Sequence, residues 1–111
     1  MILKVYVDEQ TYPIDVPRYV IDGASDFFAM IDRDLDNGHQ MSREWVQELT
    51  VIHRCQVAAD RLLTALHTQN EKSGVMMAGY ILAKMPGVIG VRMDTQGDML
   101  EHELIMGPHG V

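Results

Sequence analysis

Cysteine occurs once in these 111 residues. A single thiol excludes an internal disulfide and any multi-cysteine zinc site. Basic residues are also scarce, with nine Lys and Arg against 16 Asp and Glu and a formal net charge of −7. Phosphate backbones call for the opposite balance, so no nucleic-acid partner is expected. Long apolar runs are missing: the longest is Val75 to Ala83, ended by Lys84 and Pro86-Gly87. A membrane span needs about 20 apolar residues, so no membrane association is expected and this run reads as a buried helix. The start, Met1 to Val7, carries Lys4 and meets Asp8 and Glu9, which does not fit a secretory signal. A cytoplasmic chain is expected. Glycine-rich phosphate loops, nucleophile elbows and HExxH are absent as well.

What is present has ordinary globular proportions, 47% hydrophobic, so the chain is expected to fold as one α+β domain over residues 1–111. Leu3, Val5 and Val7 alternate with Ile2, Lys4 and Tyr6, and Tyr12, Ile14 and Val16 alternate likewise. Period two signals half-buried strands, so residues 1–17 read as a β-hairpin. Pro13 cannot donate to a ladder and puts the second strand on an edge. Asp22 or Ser25 is read as capping a helix with Phe27, Phe28, Met30, Ile31 and Leu35 on its apolar side. Asn37-Gly38 ends it. A short helix is expected after Ser42, with Trp45, Val46 and Leu49 as its apolar side.

Thr50 then caps a long helix, Val51 to Gln69, whose apolar stripe is Ile52, Cys55, Ala59, Leu62 and Leu66. A break is expected at 70–74, then the core helix from Val75 to Met85. Ile89, Val91 and Met93 alternate inward, as do Leu100, His102, Leu104 and Met106 after a turn at Gly97, giving a second hairpin over 88–106. The segment Met85 to Met106 resembles the closing helix-to-hairpin unit of ferredoxin-like domains, without the metal-binding CxxC of one such family. The tail Gly107 to Val111 lacks periodicity and is expected to fray. Hairpin, three or four helices, hairpin: this order implies an antiparallel sheet with helices packed on one face.

Candidate sites are few. Asp32, Asp34 and Asp36 precede Gly38, and Glu44 follows, a pattern that resembles a calcium-binding EF-hand loop. The register departs from it: counted from Asp32, glycine falls seventh where the sixth is needed. These four are therefore the only metal candidates, and no metal or cofactor is assigned. His53, Asp60 and His67 recur every seven residues, about 10 Å apart on a helix, too far to share an ion. They read as a solvated polar face with Gln56 and Thr64. Cys55, on the apolar stripe, reads as a buried small hydrophobe and not a nucleophile. His102 reads as core.

Nine methionines are mostly expected inside, but Met41 beside Trp45 stands in polar surroundings and is the candidate partner-binding patch. Charge is uneven: residues 8–48 hold ten acids and three arginines, and residues 93–111 hold four acids and no Lys or Arg. The reading favoured is a small acidic accessory or interaction module, meeting a basic protein surface or a second copy of itself in a homo-oligomer. A small-ligand-binding or regulatory domain is the alternative. Third comes an enzyme using carboxylates with His102, His53 or His67.

Overall fold

Alternation along the first strand decides where the core lies. In the computed structural model, which describes residues 1–108, Leu3 and Val5 of β1 (Ile2–Val7) are fully buried while Ile2 and Lys4 face solvent. β1 turns at Asp8 into β2 (Gln10–Asp15), and the pair is antiparallel with Lys4 opposite Pro13. β2 lies at the sheet edge, as its proline requires. The last pair of strands, β5 (Val88–Met93) and β6 (Glu103–Met106), is antiparallel too. The join between the two hairpins departs from the expected antiparallel sheet. β1 and β5 run parallel, so the four-stranded sheet is mixed, in the order β2-β1-β5-β6. A parallel neighbour needs a crossover, and the helices between the hairpins supply it.

Those helices number four. α1 (Arg18–Gly23) follows Pro17 and has no counterpart in the sequence reading. α2 (Ser25–Leu35) buries Phe28, Ile31 and Leu35. Its N-cap position is Ala24, which offers no side-chain oxygen, so neither Asp22 nor Ser25 caps it. Gly38, at φ 94°, ends the turn as expected. α3 (Val51–His67) begins with a reciprocal cap: the Thr50 hydroxyl accepts the His53 amide and His53 Nδ1 accepts the Thr50 amide, both at 3.2 Å.

α4 (Glu71–Lys84) starts earlier than expected, because Asn70 accepts the Ser73 amide at 3.1 Å and Gly74 is packed inside the helix instead of breaking it. Tyr80, Ile81 and Ala78 are wholly buried, which places α4 at the centre of the core. α3 and α4 pack on each other and on one sheet face, and the domain is α+β. Among the described residues no helix is long and apolar enough to cross a membrane.

Two local expectations fail for physical reasons. After Ser42 there is no helix but a hairpin, β3 (His39–Met41) and β4 (Glu44–Val46). Its turn places Ser42 at φ 57° and is clasped from outside: Ser42 Oγ donates to Asp98 Oδ1 at 2.7 Å and accepts the Met99 amide at 3.1 Å. In β5 a register shift between Val88 and Gly90 reverses the alternation, so Ile89 is exposed while Val88, Val91 and Met93 face inward. Gly90 is needed there, since a Cβ would stand 2.7 Å from the Lys4 carbonyl oxygen.

The link to β6 is also more irregular than a hairpin turn. Asp94 Oδ2 accepts the amides of Gln96 and Asp98, and Asp98 Oδ1 accepts that of Leu100. These side-chain bonds replace ladder pairing and hold Met99–Glu101 as a single 3-10 turn. Of the tail, the Gly107 amide bonds the Gly87 carbonyl at 2.9 Å, and residues 109–111 lie outside the described residues.

Candidate functional site

The acidic segment 32–44 does not close into a cation loop. Asp32 and Asp34 lie within α2, Asp36 caps its C-terminus and Glu44 begins β4. Asp32 turns inward and becomes the hub of an ion-pair cluster. Its Oδ1 accepts the Tyr80 hydroxyl at 2.6 Å and Arg54 Nη1 at 3.2 Å, and its Oδ2 pairs with Lys84. Arg54 also reaches Asp36 at 2.8 Å and the Leu49 carbonyl at 3.2 Å.

Burial pushes the Asp32 carboxyl up, but Lys84, Tyr80 and Arg54 outweigh it and hold the group below its usual 3.8. Tyr80, buried and donating to that carboxylate, is driven far above its usual range. The adjoining Cys55 thiol is pushed up to about 12, chiefly by burial, so it is protonated at neutral pH and inert as a nucleophile. The cluster ties α2 to α3 and α4. Among the described residues no three His, Cys, Asp or Glu side chains converge as a metal site, and Asp32, Asp34, Asp36 and Glu44 are not brought together.

The polar helix face divides. His53 belongs to the N-terminal cap and His67 is exposed in the last turn of α3. Asp60 instead reaches across to His102, which is 2% exposed. The His102 Nδ1 accepts the Asp94 amide at 2.9 Å, so Nε2 carries the proton and donates to Asp60 Oδ1 at 3.1 Å. A carboxylate beside an imidazole is the usual start of a general base. Here neither nitrogen is left over for a substrate, and the pair anchors the 94–102 link to α3. Gln56, placed by sequence on the solvated face, is buried: Nε2 donates to the carbonyls of Leu100 at 2.9 Å and His102 at 3.2 Å. Gln56 directly follows Cys55, and only the unforeseen approach of the 94–102 link makes its side of α3 interior.

The hairpin β3–β4 separates the two residues of the expected contact patch. Met41 is fully buried in the core. Trp45 pairs with Gln40 on the outer side and is 57% exposed. Alternation along the two paired strands sends these residues to opposite sides. Met41 is therefore no contact residue. The Trp45 indole lies over Gly38, where an added Cβ would stand 2.7 Å from Cζ2, and its Nε1 donates to Gln47 Oε1 at 3.1 Å. Arg43, Glu44 and Glu48 are near it in sequence and exposed, with Glu44 paired to Met41 on the other side of the hairpin. Compared with protein-family models, with curated proteins and with solved structures, the chain shows no significant match.

Proposed function

We propose that this chain is a small acidic accessory module of the cytoplasm that docks on a basic protein surface through the β3–β4 hairpin. The observation that supports it is Trp45. An indole left in water forgoes one of the largest hydrophobic gains available to a side chain. This one is nevertheless held in place, seated on Gly38 and hydrogen-bonded to Gln47, so little side-chain freedom is lost when a partner covers it. Tryptophan is enriched among residues that dominate interfaces. The ten acids against three arginines within residues 8–48 favour a cationic partner and a contact that weakens with salt. The same charge repels a second copy brought face to face, so self-association uses an unpaired sheet edge, β2 or β6, in this reading.

The test is affinity capture from the cells that make the chain, with wild type and Trp45→Ala as parallel baits over a salt series. A basic protein held by wild type at low salt, lost by the variant and released as salt rises, supports the proposal. Identical retention by both baits refutes it.

A further inference from the structure

Gln56 carries the one buried side-chain polar atom without a hydrogen-bond partner among the described residues, its Oε1. The orientation of the amide is settled by its other end, since only an NH2 group suits the two carbonyls it faces. An enclosed acceptor without a donor is costly and uncommon. Gln56 also lines a groove of about 400 Å³ where α3 and the end of α4 meet β6. Ile52, Met85, Leu104 and Met106 supply its apolar walls, and Ile52 and Met106 are exposed there despite their size. Glu101 and Glu103 stand at the rim. Glu103 pairs with Arg92, while Glu101 has no ion pair among the described residues.

The groove's chemistry is one-sided. The side-chain donors in its lining are Gln56 Nε2 and the His102 ring, and all are engaged. What remains is acceptors, the Glu101 carboxylate and Gln56 Oε1, beside a hydrocarbon wall. We infer that this groove binds a small aliphatic primary amine, its ammonium donating to Glu101 and Gln56 Oε1 and its chain covering Met85, Leu104 and Met106. The volume suits a small molecule. Four acids and no Lys or Arg in residues 93–111 favour a cation at this end of the molecule. Oε1 is enclosed in the free chain, so the amine reaches it by displacing flexible lining side chains, for which methionine is suited. A carboxylate of equal length meets the like charge of Glu101 and no free side-chain donor, and is rejected. This site is independent of Trp45.

The experiment titrates the full chain, labelled with ¹⁵N, with n-hexylammonium and separately with n-hexanoate. Hexylammonium should give saturable shifts at the Gln56 side-chain amide and at Glu101, Leu104 and Met106, with Kd on the order of 1 mM or tighter, and hexanoate none. Glu101→Gln, an exposed change that leaves the fold intact, should weaken binding about two- to fivefold. Gln56→Met should weaken it about tenfold. Trp45→Ala should bind as wild type does. No saturable shift, an equal response to hexanoate, or unchanged affinity in Glu101→Gln overturns the inference. So does tighter binding of Nα-acetyl-lysine methylamide, which would make the groove a receptor for lysine side chains.

Discussion

Replacing Asp32 by alanine should be among the most destabilising single changes on the polar side of this protein. Among the described residues its carboxylate is the only hydrogen-bond partner of the Tyr80 hydroxyl, and Tyr80 is wholly buried. Orphaning that hydroxyl costs about 1–3 kcal/mol. Arg54 loses less, since it keeps Asp36 and the carbonyls of Asp32 and Leu49, and Lys84 is 34% exposed and regains water. Partly exposed pairs of this kind contribute roughly 0.2–1 kcal/mol each. The total is about 1.5–5 kcal/mol, or a fall in Tm of about 6–20 °C for a domain of this size.

Tyr80→Phe in the wild type should cost only about 1 kcal/mol, because the carboxylate keeps both cations. In the Asp32→Ala background the same change removes the orphaned hydroxyl and should be neutral or stabilising. Urea unfolding of the four proteins in this cycle reads the coupling directly. If Tyr80→Phe costs as much in Asp32→Ala as in the wild type, the hydroxyl is not held by Asp32 and the reasoning fails.

Two further consequences concern stability. Because Asp32 has its folded pKa below the unfolded value near 3.8, its contribution is complete above that pH and is lost as pH falls through the lower, folded value. Below about pH 4 the wild type should therefore lose stability faster than Asp32→Asn, and parallel curves in acid titrations followed by circular dichroism would contradict this. Gly74 is packed in α4 with room for a methyl group, 3.6 Å from Leu62 Cδ1 and 3.8 Å from Ala65 Cβ. Gly74→Ala should stabilise by about 0.5–1 kcal/mol in urea unfolding, through helix propensity, and destabilisation would show that the interface with α3 cannot accept it.

Local periodicity is legible in a sequence to the extent that an element is long. The alternation of β1 and the stripe of α3 announce themselves, and Thr50, Gly38 and Gly97 mark a cap and two turns with the backbone geometry observed. Strands of three residues carry no period, which is why β3 and β4 pass for a helix whose apolar residues are Trp45, Val46 and Leu49. Nor does a local pattern say that β1 will pair in parallel with a strand over 80 residues later, or that a bulge at Ile89 will turn it outward. The sites follow the same rule. Trp45 stands out by type alone, while Asp32 meets Tyr80 across 48 positions and Asp60 meets His102 across 42. Such meetings are products of tertiary packing, and Gln56 changes from a surface residue to a buried one for that reason.

Trp45 is the sole tryptophan of this chain, so the tryptophan emission of the complex, less that of the partner alone, reports on the proposed contact. The decisive measurement is its emission and acrylamide quenching in the purified complex with whichever basic protein the chain retains. Docking through the β3–β4 hairpin predicts a blue-shifted band and protection from acrylamide at low salt, both reversed as salt dissociates the pair. An emission maximum and quenching constant unchanged between free and bound chain would place the partner elsewhere and contradict the proposal.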